Sequence, residues 1–445
     1  MTPFRRSRYD AEIFRLGLPA LGALAADPFV SLVDTAFVGR LGVNALGGLA
    51  IAAAVFGVVF ALFNFLAYAT TPLIASAISR GDEREAGRIA MAAVGVGIAA
   101  GLVGALLLIS ASDGVVRLMG AGPDTLDGAR DYLRIRSLAL PAVMLITVGH
   151  GVFRGLQNTM TPLLVTLGLN AVNLVLDPVL IFGLGWGLEG AAWATVVAQW
   201  MGAAGFVALL QRQRSLRGLA GERPRSHDVS RLLRAGRALL ARVGSLLAAL
   251  ALATAVAARV GTAEVAAHQI MFQLWMFLSL MLDAFAISGQ TMVATTLPHS
   301  STDAAAISRR LLALGFMFGL FLAAVLAAIG PWIPRWFTDD IEVLAALGSV
   351  YPFLVFMQPL NALIFVWDGV VIGASDFTYL ARSTVIALVF SGGMLAAVLP
   401  FGWGLAGVWW GIVGLMLVRA AALAWWQRRG PLAAAPDRSR GSQEA

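Results

Sequence analysis

The sequence predicts an all-α integral membrane protein in which twelve transmembrane helices form two pseudo-symmetric six-helix bundles. Three observations carry that expectation. Hydrophobic residues make up 59% of the chain and charged residues 13%, with mean hydropathy +0.81, which is too apolar for 445 residues whose surface must be wetted. No charged residue lies between Arg40 and Arg80, Arg88 and Asp113, Arg310 and Arg335, or Arg382 and Arg419, and each stretch exceeds the roughly 20 residues that cross a bilayer core. Finally, Gly185-Trp186-Gly187-Leu188-Glu189-Gly190-Ala191-Ala192-Trp193 nearly recurs as Gly402-Trp403-Gly404-Leu405-Ala406-Gly407-Val408-Trp409-Trp410, an offset of 217 residues, about half the chain.

The hydropathy pattern places the first six spans at 12–38, 44–78, 87–112, 131–154, 160–183 and 190–211. The second six follow at 232–258, 262–297, 305–330, 346–373, 378–400 and 405–427. The first span follows Arg5, Arg6 and Arg8 and is longer than a signal-peptide core, so no cleavable leader is expected. Connections then alternate in charge. Arg80, Arg84 and Arg88, the run Arg212, Arg214, Arg217, Arg223 and Arg225, Arg309 with Arg310, and Arg428 with Arg429 share the side of the N-terminus, while Asp113, Asp124, Asp127, Asp339, Asp340 and Glu342 fall opposite. The positive-inside rule makes both termini cytoplasmic, and the expected location is the plasma (inner) membrane of a bacterium. The expected organisation is an N-terminal lobe, 1–211, a basic linker, 212–230, a C-terminal lobe, 231–429, and a disordered tail, 430–445.

The duplication extends beyond the opening match. Arg40-Leu41-Gly42 aligns with Arg259-Val260-Gly261 at an offset of 219, and Gly151-Val152-Phe153-Arg154-Gly155 with Gly369-Val370-Val371-Ile372-Gly373 at 218. Two single-residue deletions account for the drift. An even number of spans per unit relates the copies by an axis along the membrane normal. Other classes recede: without Cys there are no disulfides, thiol nucleophiles or thiolate metal sites, and the net charge of +7 is explained by cytoplasmic arginines rather than nucleic acid. No cofactor, resident metal or enzymatic activity is expected; the partners are membrane lipids and a small-molecule substrate, and the chain reads as a monomer.

Ionisable groups at membrane depth are costly and mark function by default. The first span carries Asp27 and Asp34, seven residues apart on one face, and the fifth carries Asn170, Asn173 and Asp177, also on one face. Pro178 directly follows Asp177, while Pro19 and Pro28 loosen the first span. Tyr132 and Thr195 lie near the outer starts of the fourth and sixth spans, so four helices bring polar groups to one level, with His150 deeper. The second copy lacks this cluster: Asp34 maps to Ala253, Asn173 to Phe390 and Asp177 to Met394. Asp283 and Asp368 lie near cytoplasmic ends, where they read as a solvated rim with an inner gate or second ion site as the alternative. Arg231, Arg234, Arg237 and Arg242 read as a lipid-facing amphipathic start of the seventh span.

Over nearly its whole length the chain resembles the multidrug and toxic compound extrusion (MATE) family, DinF-like branch. Pro19, Val33-Asp34-Thr35-Ala36-Phe37-Val38-Gly39-Arg40-Leu41-Gly42, Phe153-Arg154-Gly155-Leu156-Gln157-Asn158-Thr159, Asn173-Leu174-Val175-Leu176-Asp177-Pro178, and Trp367-Asp368-Gly369 with Ile372-Gly373-Ala374 carry the likeness. It implies two six-helix lobes working by alternating access, and export of cationic or amphipathic compounds in exchange for protons, with sodium as the alternative ion. Asp34 would be the main coupling carboxylate, Asp177 its partner, Tyr132, Asn173 and Thr195 the hydrogen-bonding shell, and Pro19 the bend of the first span. His150 stands where some relatives have asparagine and tilts the reading towards protons. A lipid or lipid-linked sugar flippase is the competing function, but mid-span arginines for phosphate are scarce.

Overall fold

The computed structural model describes residues 7–213, 224–330 and 332–433. They form helices and connecting turns, with no strand among them. The N-terminal copy comprises α1 (Asp10–Gly39), α2 (Val43–Phe63), α3 (Phe65–Ser79), α4 (Glu83–Leu118), α5 (Pro123–Ser137), α6 (Leu140–Gly155), α7 (Met160–Pro178) and α8 (Gly187–Arg212). The second copy comprises α9 (Ser226–Val260), α10 (Thr262–Thr296), α11 (Ser301–Ile329), α12 (Ile341–Gly373), α13 (Phe377–Val398) and α14 (Gly404–Arg429). With α2 and α3 taken as one span, eleven of these are long and apolar enough to cross a membrane, and the bent pair α5 and α6 makes the twelfth. Leu106 on α4 and Val389 on α13 are 69% and 70% exposed, an apolar outer face that suits lipid rather than water.

The fourth expected span, 131–154, is not one helix. It breaks between α5 and α6 and bends by 50°. Pro141 explains the break, because it has no N–H to offer the carbonyl one turn back and its ring crowds that carbonyl. The chain tightens instead through Leu138 N–H to Ile135 O (3.0 Å) and Ala139 N–H to Arg136 O (3.1 Å). Gly101 of α4 packs onto the bend, where a Cβ would lie 2.8 Å from Pro141 N. By contrast α1 runs unbroken through Pro19 and Pro28. At Pro178 the α-helix gives way to a π turn, Val179–Gly183, closed by Leu184 N–H to Val179 O at 2.8 Å.

Equivalent positions of the two copies repeat local geometry as well as sequence. Gly185 and Gly187 have φ of 71° and 56°, and Gly402 and Gly404 have 65° and 57°, so the recurring Gly-Trp-Gly block builds the same left-handed turn before α8 and α14. Gln157 and Ser375, 218 residues apart, are the two non-glycine residues with positive φ among those described, each ending the helix before it. Asp82 caps α4 and Ser300 caps α11 by accepting from the N–H three residues on, again at an offset of 218.

The chain divides into two compact units, Leu18–Gly236 and the remaining described residues, with crossings at 17/18 and 236/237 that are themselves 219 residues apart. The expected lobes, 1–211 and 231–429, differ from these units at the start of α1 and of α9. In the first unit Val38, Leu49, Tyr132, Ile181 and Ala191 pack together, drawing α1, α2, α5, the π turn and α8 around one point. In the second, Ala249, Ala387 and Leu415 join α9, α13 and α14. Of the expected linker, 214–223 lies outside the described residues, as do Arg5, Arg6 and most of the tail, 434–445. Within the described part of the linker α9 starts at Ser226 and Arg88 reaches Asp228 at 3.5 Å, and just beyond it Arg231 reaches Glu85 at 2.7 Å.

Gly190 of α8 lies against the π turn so closely that a Cβ would sit 2.8 Å from Leu180 C and O. Backbone on both sides cannot yield cheaply. Gly190→Ala is therefore expected to cost about 1–3 kcal/mol, as overpacking does, read as a lower midpoint of thermal unfolding in detergent.

Candidate functional site

The unit Leu18–Gly236 gathers the polar residues expected in its spans. α1 and α7 run side by side in parallel, which brings their polar faces into register: Asp27 pairs with Asn170 and Asp34 with Asp177, both at a separation of 143 residues. Asn170 Nδ2 donates to Asp27 Oδ1 at 3.0 Å. One turn on, Asn173 Nδ2 donates to Thr195 Oγ1 at 3.4 Å, and Thr195 Oγ1 donates to the Ala191 carbonyl at 3.0 Å. Asn173, Asp177, Thr195 and Tyr132 are buried, Asp177 fully, while Asp34 is half-buried.

Asp34 and Asp177 face each other at hydrogen-bonding range. Yet Asp34 Oδ1 and both Asp177 carboxyl oxygens are buried and receive no hydrogen bond among the described residues. Two ionised carboxylates can only accept, so their contact becomes a hydrogen bond only when a proton lies between them. Buried polar atoms without partners are uncommon in native proteins, and three of those in this structure fall on this one facing pair. Tyr132 packs on Ile181 and Ala191 and lies in the field of both carboxylates. Pro178 sets the end of α7 one residue after Asp177, and the π turn beyond it leaves that carboxylate at a loosened helix end.

One residue of this site escaped the sequence reading. Arg136, in the last turn of α5, lies in the field of Asp27, Asp34, Tyr132 and Asp177. Its guanidinium sits 5.3 Å from the Phe56 ring centre, and its Nη1 is buried without a hydrogen-bond partner. A signal was present, because Arg136 falls inside the expected span 131–154.

Other candidates lie apart from this cluster. His150 is held by Thr166 Oγ1 at Nε2 (3.2 Å) and Arg154 Nη2 at Nδ1 (3.5 Å), with its ring against Phe206. In the second unit Asp368 is no solvated rim carboxylate. It is 4% exposed and accepts from Arg242 Nη2 at 2.6 Å and from Arg419 Nη2, a triad joining α9, α12 and α14. Arg242 is consequently no lipid-facing residue, and Arg231 is also paired, with Glu85. Asp283 is half-buried on α10. Among the described residues no group of three or more His, Cys, Asp or Glu could hold a metal ion.

A duplicated bundle with an unsatisfied carboxyl pair inside one copy defines a polytopic membrane carrier. The MatE family profile matches residues 19–179 and 245–397, so the chain belongs to the multidrug and toxic compound extrusion (MATE) family of efflux transporters, and is a transport protein. It is 37% identical over 432 residues to Protein DETOXIFICATION 44, chloroplastic, of Arabidopsis thaliana, covering 93% of this chain and 81% of that protein. It is 26% identical over 425 residues to DNA damage-inducible protein F of Escherichia coli (strain K12), covering 93% and 91%. A crystal structure of MATE in the bent conformation superposes with a TM-score of 0.88 at 22% identity, covering 95% of this chain and 96% of that one.

Proposed function

We propose that this chain is a secondary active antiporter that exports cationic or amphipathic compounds in exchange for protons, by alternating access. The observation that supports the reading most is the facing pair of Asp34 and Asp177, with three unpartnered buried oxygens, two of which one shared proton would join in a hydrogen bond. Asp34, nearer the surface of its unit, takes the proton from outside; Asp177 shares it; Asn173 and Thr195 hold α7 and α8 beside the pair; Tyr132 closes it from α5. Loss or gain of the proton changes the force between α1 and α7, and Pro19 is where α1 bends in answer. Asp27 and Asn170 are the second polar step along the same two helices.

The driving force is sufficient. One charge moved through 100 mV releases about 2.3 kcal/mol, and one unit of pH gradient adds about 1.4 kcal/mol per proton. The proposed location is a bacterial plasma membrane, and the arginine-rich connections support an orientation with both termini cytoplasmic. The chloroplast in the Arabidopsis protein's name is a statement about that protein.

The test is transport in proteoliposomes of a fluorescent lipophilic cation under an imposed proton gradient, then under an imposed sodium gradient at constant pH. Efflux driven by the proton gradient alone is the expected result. Efflux that needs sodium would replace the coupling ion. No efflux of any cation under either gradient, together with scrambling of labelled lipid, would replace the function with lipid flipping.

A further inference from the structure

We propose that Arg136 is the resident counter-cation of the Asp34–Asp177 pair, taking the place of the proton when it leaves and so making exchange indifferent to sodium. The inference rests on the proton-coupled reading above and concerns a residue to which that reading gives no role. Three observations on the first unit carry it.

The first is a mismatch that two groups could resolve for each other. Arg136 Nη1 is a buried donor with no acceptor, and Asp34 Oδ1 with both Asp177 oxygens are buried acceptors with no donor. The second is range: the guanidinium lies in the field of both carboxyl groups, although no ion pair between them is formed in this conformation. The third is contrast with its neighbours on the same helix. Arg130 is paired with Asp127 at 2.9 Å and Asp131 at 3.0 Å, and Arg134 reaches Asp113 at 3.6 Å and Ser112 Oγ at 2.8 Å, whereas Arg136 rests on Phe56 with no ion pair among the described residues.

These facts fit two alternating pairings. With a proton between Asp34 and Asp177 the pair makes a hydrogen bond of its own and the guanidinium stays on the Phe56 ring, its position in this structure. Without the proton the two anions repel and present oxygens to a planar, permanently charged group that can bridge both. Asp27, Asp34, Tyr132 and Asp177 are the titratable groups around Arg136. α2 contributes none, and Glu189, the carboxylate of α8, is exposed at the start of that helix. A chain that carries its own replacement cation has no need of sodium there. Removal of the guanidinium leaves the deprotonated pair uncompensated and open to a small external cation.

The experiment compares wild type, Arg136→Gln and Arg136→Lys as full-length proteins in nanodiscs. Thermal unfolding is recorded above neutral pH in sodium chloride and in potassium chloride at equal ionic strength, and proteoliposome efflux is driven by sodium at constant pH. Wild type and Arg136→Lys should unfold alike in the two salts. Arg136→Gln should be stabilised by sodium, binding it about tenfold more tightly or better, and should gain sodium-driven efflux, because one unit charge near a half-buried anion is worth at least that factor. Wild type that is itself stabilised by sodium would overturn the proposal, even if Arg136→Gln fails to fold. A folded Arg136→Gln that stays indifferent to sodium would overturn it too. Loss of proton coupling is read separately in Asp34→Asn: if that variant keeps proton-driven efflux, the coupling assignment fails, whatever the salts do to Arg136→Gln.

Discussion

Asp34→Asn and Asp177→Asn are each expected to reduce proton-driven efflux to the level of empty liposomes while leaving the protein folded. An amide is isosteric with a carboxylic acid but cannot release a proton, so either variant freezes the pair in a hydrogen-bonded imitation of its loaded state, with a single negative charge. The energy at stake is large. Two carboxylates about 4 Å apart repel by about 4 kcal/mol at an effective dielectric near 20, and that repulsion is what proton release restores and the amide abolishes. The folded state should gain stability, because the unpartnered oxygens of Asp34 and Asp177 are replaced by an amide–carboxyl hydrogen bond. Asp27→Asn should behave differently, since its bond with Asn170 survives when an amide oxygen replaces the carboxylate, and most of the transport should remain. Efflux of a fluorescent cation and thermal unfolding of the same preparations give both readings. Full proton-driven efflux in Asp34→Asn would end the assignment.

The largest loss of stability is expected from Asp368→Ala. Asp368 holds two guanidiniums, those of Arg242 and Arg419, and Arg419 is 4% exposed, so its charge has no route to water. Removing the anion leaves two buried cations facing each other, and breaking a buried ion pair from one side costs about 3–5 kcal/mol. Arg419→Met should cost much less, because Asp368 keeps Arg242 and the apolar side chain fills the vacated space. The combination Asp368→Leu, Arg419→Met, Arg242→Met should recover most of the loss. Unfolding midpoints of the three variants rank them, and equal midpoints for Asp368→Ala and wild type would show that the triad contributes nothing to stability.

The span pattern could be read from the sequence because lipid imposes it: each crossing needs a long apolar helix, and charge can collect only between crossings. The same cost made Asp34 and Asp177 conspicuous before any geometry was known. Arg136 was missed because α5 reads as an outer flank rich in paired charge, Arg130, Asp131 and Arg134, and nothing in the spacing says that Arg136 alone turns from that network. Asp368 was misplaced for another reason. Its partners are Arg242 and Arg419, 126 and 51 residues away on two other helices, while Asp368 itself lies near the end of α12, where a charge is ordinarily solvated. Periodicity speaks of one helix face at a time, while burial of a helix end depends on what packs across it.

The π turn after Pro178 has a bearing on how the two halves diverged. From Asn158 to Gly185 the first copy holds one residue more than the second holds from Asp376 to Gly402; with Asn173 opposite Phe390 and Asp177 opposite Met394 that residue enters before Asn173, and the same helix then departs from α geometry in the π turn Val179–Gly183. The earlier surplus residue lies between Gly42 and Asp82, where the turn at Asn64 separates α2 from α3, whereas α10 runs uninterrupted. Both length differences thus add a residue to the half that carries the carboxyl pair, and that half also holds the π turn that begins two residues after Asp177. The two halves are therefore least alike along the helix that carries Asn173 and Asp177, and the loosened end of that helix stands beside the carboxyl pair in one half alone.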